Sequence, residues 1–199
     1  MDATETETET EPTARGASAF AAIAGGVTAF DMAFFRLLAL VNLPKSLNYS
    51  LIVLVRSGDG WIWALIACAL WFYLPFPQLE RVVMHCAIAF GISLAIYVPV
   101  KFIGRRVRPH EKGVPVKPQV PPLDKYSFPS GHTMNNLAVA LTLASHFPAL
   151  MGPAIAIPVL LGALRVFFGV HYLSDIIGGS ALGALAFALA RAFFPLSGP

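Results

Sequence analysis

The sequence predicts an all-α protein: a polytopic transmembrane helical bundle with five clear spans, preceded by an N-terminal span or interfacial helices. Three observations carry that expectation. The chain has 199 residues, of which 56% are hydrophobic and only 13% charged, whereas a soluble domain carries roughly 25% charged residues. Its mean hydropathy is +0.67, and several apolar stretches approach the ~20 residues that cross a bilayer. Aromatic residues flank such stretches, as Trp61, Trp63, Trp71 and Tyr73 do, at the depth where headgroups lie.

In chain order, residues 1–16 read as a disordered acidic tail. They hold five acids (Asp2, Glu5, Glu7, Glu9 and Glu11) against Arg15, and a threonine–glutamate repeat has nothing to bury. The tail also lacks the basic start of a secretory signal peptide. The remainder keeps thirteen Lys/Arg against six Asp/Glu. Residues 17–60 are apolar but interrupted by Asp31, Arg36, Pro44 and Lys45, charges that sit poorly at a bilayer centre. One imperfect span or helices lying along the surface fit equally. "RSGDGW" at 56–61 is a turn, with glycines on both sides of Asp59.

The five spans are expected at Trp61 to about Leu74, Met84–Val100, His132–Phe147, Pro153 to about Val170, and Tyr172–Phe194. Prolines 75, 77, 148 and 153 punctuate them. Glycines 178, 179 and 183 with neighbouring alanines give the last span a small-residue face suited to close helix packing. Cys68 and Cys86 lie in apolar runs with no metal-ligand spacing, and read as packing residues.

One long, proline-rich and basic connection, 101–129, follows the second span; loops of that length are usually functional or disordered. If each span crosses once, Lys101, His132, Arg165 and His171 come from separate segments to one membrane face. Lys101, Arg108 and Arg165 are cations near the ends of apolar helices, costly without an anionic partner. With few acids nearby, an external anion with several oxygens is the simplest partner, and arginine's planar fork suits phosphate. Lys112, Lys117 and Lys125 read as snorkelling interfacial bases.

"PSGH" at 129–132 reads as a helix start, with Ser130 as N-cap and Gly131 leaving the backbone approachable. Free amides of a first helical turn bind anions, and His132 would stand beside such a site. His171 and Asp175 are four apart, hence on one face of a helix; the carboxylate can accept from Nδ1 and leave the Nε2 lone pair free. A purely structural His–Asp pair is the plain alternative. His85 and His146 are expected to be interfacial or packing residues. Asn135 and Asn136, one turn below His132, are candidates for supporting hydrogen bonds.

"KFIGRRVRP" (101–109), "PSGH" (129–132) and "RVFFGVHYLSD" (165–175) together resemble the three-part signature of the type 2 phosphatidic acid phosphatase superfamily. That superfamily also contains vanadium-dependent haloperoxidases and some bacterial acid phosphatases. The resemblance covers roughly residues 61–199, which become a catalytic transmembrane phosphatase core, with 17–60 as N-terminal membrane or interfacial helices. One departure is Leu164, where the family usually has serine. The resemblance implies His171 as nucleophile forming a phosphohistidine, Asp175 orienting it, and His132 protonating the leaving group and then activating water. Lys101, Arg108, Ser130, Gly131 and Arg165 would hold the phosphoryl oxygens. No metal or other cofactor is expected, because three cations can supply the charge.

The expected partners are a phosphorylated lipid and the bilayer, with no nucleic acid; oligomeric state is open. A lipid phosphotransferase using the same site and a non-catalytic lipid-phosphate binding or transport protein are the alternatives, and a soluble haloperoxidase fits worst. Phosphatidic acid, phosphatidylglycerol phosphate, undecaprenyl pyrophosphate and a lipid A phosphate all suit the site. Counted by charge alone, the basic site face belongs in the cytoplasm. The family implies a bacterial inner membrane protein whose site faces the periplasm or outside, and phosphate binding gives several of those bases another purpose.

Overall fold

The computed structural model describes residues 11–38, 41, 43–112, 120–122 and 124–195, and all regular structure among them is helical. Residues 1–10 of the expected acidic tail lie outside the described residues; its last part begins helix α1 (Glu11–Leu38). There follow α2 (Lys45–Ser57), α3 (Trp61–Tyr73), α4 (Phe76–Gly104), α5 (Gly131–His146), α6 (Met151–Phe167) and α7 (Leu173–Phe193), with short 3-10 turns at Pro109–Lys112 and Pro148–Leu150.

Local chemistry sets the boundaries. Gly60 turns the chain between α2 and α3 at φ 123°, which only glycine adopts without strain. Pro44 and Pro75 precede α2 and α4, where a missing N–H costs nothing. Helix α4 runs through Pro99 and closes on Arg105 in a left-handed conformation, its amide bonded to Lys101 O at 3.2 Å. The second span is therefore longer at both ends than its apolar run implies.

Among the described residues, three helical segments are long and apolar enough to cross a bilayer, those of α4, α6 and α7; α2 and α3, bent by 64° at their junction, pass only as a pair. The expectation of five separate spans is thus not met by length. Helix α3 has 13 residues and α5 has 16, about 20 and 24 Å at 1.5 Å per residue, against a hydrocarbon core of ~30 Å. Apolarity marked both stretches, but stretch length decides spanning.

Their environments differ. No residue of α3 is buried; Trp63 is half-buried against α5, and most of its other apolar side chains face outward. Helix α5 is the central element, packed on α4, α6 and α7, with ten buried residues. The small-residue face of α7 makes that packing possible. A Cβ at Gly183 would lie 2.5 Å from Met134 O, and one at Gly179 2.7 Å from Ser130 O. Helix α1 docks on α6 and α7 through Phe35, which packs with Val166, Tyr172 and Ile176. Outward-facing Leu65, Trp71, Phe72, Ile103 and Ile177 leave the bundle coated in large apolar side chains, a surface suited to lipid.

Candidate active site

At one end of the bundle the end of α4, the 105–130 connection, the start of α5, the end of α6 and the start of α7 meet. All eight residues singled out by the sequence join there in a continuous set of contacts. Lys101 Nζ donates to Pro129 O at 3.0 Å, next to Ser130. Arg108 Nη1 donates to Val170 O at 2.7 Å, next to His171. Ser130 N donates to Asp175 O at 3.1 Å, tying the start of α5 to α7. The His171 amide points to Arg165 O at 3.4 Å.

His171 and Asp175 do face each other, but not across a helix surface. His171 lies in the α6–α7 turn, two residues before α7, and Asp175 is the third residue of that helix. Proximity comes from helix capping: Asp175 Oδ2 accepts from the Tyr172 amide at 2.8 Å. Nδ1 of His171 is 3.5 Å from Asp175 Oδ2, ion-pair distance without a completed hydrogen bond. No hydrogen bond reaches Nε2 among the described residues, so in this 3% exposed side chain it is the nitrogen that Asp175 leaves available. Burial drives His171 down to about 4, with Asp175 opposing and the cations of Arg108 and Lys101 assisting. The imidazole is therefore neutral at pH 7.

The cations are buried as expected: Lys101 4%, Arg108 1% and Arg165 2% exposed. The expectation that an external anion is their simplest partner needs correction, because two carboxylates from the chain partner them. Asp124 Oδ1 lies 2.9 Å from Lys101 Nζ and 2.7 Å from Arg108 Nη2, and Asp124 Oδ2 accepts from Tyr97 Oη at 2.6 Å. Asp59 Oδ1 lies 2.5 Å from Arg165 Nη2 and 2.8 Å from His132 Nε2. Burial alone would raise both carboxyls. For Asp124 the hydrogen bonds from Tyr97 and Lys101 outweigh it, and for Asp59 those from His132 and the charge of Arg165 do, so each titrates below its ordinary value. Arg165 keeps one donor, Nε, buried without a partner.

Ser130 caps α5 as expected, weakly, accepting from Thr133 N at 3.5 Å. The reason for glycine at 131 is more local than an approachable backbone: a Cβ there would strike the Tyr97 ring at 2.6 Å. Asn136 supports the site, its Nδ2 donating to His132 O at 2.7 Å and Gly58 O at 3.1 Å while its Oδ1 accepts from Trp63 Nε1 at 2.5 Å. A cavity of about 320 Å³ opens beside these groups, bordered by Asp59, Trp63, Tyr97, Asp124 and His132.

Sequence reasoning missed Asp59, Asp124, Tyr97 and the network behind Asp175. Arg106 Nη1 meets Asp175 Oδ1 at 2.7 Å, and its Nη2 meets Asp31 Oδ2 at 2.5 Å. Its guanidinium lies 4.0 Å above the Tyr172 ring. Ser127 Oγ donates to Asp175 Oδ2. The one available signal was Asp31, a carboxylate in an apolar stretch that made no sense locally. His85 and His146, left out of the site, stack on each other with Nδ1 and Nε2 2.9 Å apart. Leu164, at the family's usual serine, packs among Val55, Val120, Phe168 and Val170. Among the described residues no three His, Cys, Asp or Glu side chains gather as metal ligands.

The chain is similar to several known proteins. The chain is 28% identical to an undecaprenyl-diphosphatase of Sulfolobus acidocaldarius, over 78% of this chain and 74% of that one. It is 42% identical to phosphatidylglycerophosphatase B of Bacillus subtilis over 39% of this chain, a match spanning only 45% of that protein's length. Among solved structures, the transmembrane PAP2 type phosphatidylglycerolphosphate phosphatase from Bacillus subtilis superposes with a TM-score of 0.65 at 28% identity, covering 84% of this chain and 86% of that one. Residues 82–198, which include every residue of the three motifs, match the PAP2 superfamily, and the chain belongs to it.

Proposed function

We propose that this protein is an integral membrane phosphatase that hydrolyses a lipid phosphate or lipid pyrophosphate through a phosphohistidine, without a metal ion. The observation that carries the reading is a neutral, buried His171 whose Nδ1 faces Asp175, leaving Nε2 without a hydrogen bond, set among Lys101, Arg108 and Arg165. The Nε2 lone pair attacks phosphorus and the bond to the leaving oxygen breaks, with His132 supplying the proton that oxygen takes up. Water then attacks the phosphohistidine as His132 accepts its proton, the P–N bond breaks, and inorganic phosphate leaves. Asp175 favours the tautomer with Nδ1 protonated and stabilises positive charge on the ring. The three cations, with Ser130 and the first amides of α5, neutralise charge on the phosphoryl oxygens as it shifts.

The related proteins are named for a glycerophospholipid phosphate and a polyprenyl diphosphate. These share a phosphate carried on a lipid, and the outward apolar surface of the bundle leaves the tails in the bilayer. Residues 61–199 form the catalytic core in this reading, with 17–60 as N-terminal membrane or interfacial helices and the site facing the periplasm or outside. Phosphate release by purified protein across phosphatidic acid, phosphatidylglycerol phosphate, undecaprenyl pyrophosphate and a lipid A phosphate tests the substrate class. His171→Ala and His132→Ala are expected to abolish release while the protein stays folded, and wild type to lose nothing after chelator dialysis. Normal turnover by His171→Ala refutes the mechanism. Labelling of a cysteine placed at Lys112, in a background without Cys68 and Cys86, reports which side the site faces.

A further inference from the structure

Asp59 lies outside residues 82–198, the part that matches the family, yet it reaches the centre of the site. It comes from the Gly58–Asp59–Gly60 turn between α2 and α3, and that turn is built to deliver it. Gly60 has φ 123°, a conformation reserved for glycine. A Cβ at Gly58 would meet Leu161 Cδ1 at 2.9 Å and Val55 O at 3.3 Å. Asn136 fastens the turn to α5 by donating to both Gly58 O and His132 O, and Trp63 of α3 holds Asn136 from the other side. Three elements thus fix one carboxylate against one imidazole.

We infer that Asp59 is a positioning residue for His132 and Arg165: its carboxylate holds His132 by Nε2 and Arg165 by Nη2, so that the imidazole presents Nδ1 to the cavity for proton exchange with the leaving oxygen and with water. The distances are 2.8 Å to His132 Nε2 and 2.5 Å to Arg165 Nη2, both from Oδ1. No hydrogen bond reaches Nδ1 among the described residues, and His132, its side chain 18% exposed, borders the 320 Å³ cavity. A carboxylate on Nε2 keeps the proton there in the neutral ring and steadies the imidazolium when Nδ1 gains a second one. The site then contains two His–carboxylate pairs: Asp175 behind the nucleophile, and Asp59 behind the group that moves protons. Asp59 titrates below its ordinary value, its burial outweighed by His132 and Arg165, so the charge this role needs is present at neutral pH.

This inference rests on the proposed phosphatase reaction, and the experiment separates the two. Steady-state phosphate release is measured for wild type, Asp59→Asn and Asp59→Glu in detergent, from pH 4 to pH 9, alongside thermal melting. The amide of Asp59→Asn keeps an oxygen that accepts from Arg165 and His132 but loses the charge. Its kcat is expected to fall about 10- to 100-fold, short of the roughly 10²–10⁴ that general acid–base catalysis itself supplies, while KM stays within about threefold because the phosphate-binding cations remain. The charged groups facing His132 are Asp59 from the turn, Arg165 from α6 and Asp124 from the 105–130 connection. Removing the nearest anion makes the ring harder to protonate, so the limb of the kcat profile set by His132 moves to lower pH. Asp59→Glu, which restores charge with a longer reach, recovers part of the activity.

Wild-type kcat in Asp59→Asn, or a higher one, overturns the inference and makes Asp59 a carboxylate that does no more than pair with Arg165 and His132. A loss confined to KM, or a loss with a lower melting temperature and an unmoved pH profile, overturns it in favour of a structural role. Wild type that releases no phosphate from any of the four lipids overturns the proposed reaction and this inference with it.

Discussion

Asp31 and Asp175, on the first and last helices, are held by a single guanidinium. Arg106 reaches one with Nη2 at 2.5 Å and the other with Nη1 at 2.7 Å, and both carboxylates are fully buried. Ser174 adds to the clasp, its amide and hydroxyl donating to Asp31 at 3.0 and 2.6 Å. The charge that looked misplaced in an apolar N-terminal stretch is therefore the anchor that docks α1 beside the carboxylate behind His171. The clasp also gives Arg106, one of the bases of the 101–129 connection, a carboxylate partner on each of two helices.

Removing Asp31 should be costly for stability and indirect for catalysis. Breaking one partner of a buried ion pair costs about 3–5 kcal/mol, and Asp31→Asn leaves Arg106 with one carboxylate. A melting temperature several degrees lower is expected in detergent, with kcat reduced and KM nearly unchanged, because Asp175 loses part of its alignment. A variant that melts like wild type removes Asp31 from the account of how α1 is held.

The α5–α7 contact is set by backbone approach, and glycine substitutions report on it. Gly183→Ala places a methyl 2.5 Å from Met134 O; overpacking of this kind costs about 1–3 kcal/mol. Gly91→Ala meets nothing within 4 Å and is expected to be neutral or to stabilise by about 0.5–1 kcal/mol, since glycine is the poorer helix residue. Comparison of the two melting temperatures checks the assignment. Equal values would mean that α5 and α7 do not approach so closely.

Acid should destabilise the protein in two stages. His171 titrates at about 4 when folded and at about 6.5 when unfolded. The unfolded chain therefore takes up its proton first, and stability drops as pH falls from about 6.5 to 4. Asp59 and Asp124 are held below their ordinary value, so what they contribute is present above about pH 4 and is lost below it. Melting temperature measured against pH is expected to show both declines, and His171→Gln to flatten the first. An unchanged slope in that variant assigns the first decline elsewhere.

From the sequence alone come the all-helical class, the approximate positions of the helices after residue 60 and the eight residues of the three motifs. Apolar runs ending at prolines and glycines leave little choice of element, and the Lys–Arg, Ser–Gly–His and Arg–His–Asp spacings are local patterns. The folded structure decides which helices can span: α3 is strongly apolar but short, and α5 is short, less apolar, and buried only because its neighbours cover it. It also decided what partners the cations. Asp59, Asp124 and Asp31 carry no pattern around them, and each acquires its meaning from a side chain on another helix or loop. Periodicity records which face of a helix is greasy. It does not record which distant charge that face will meet.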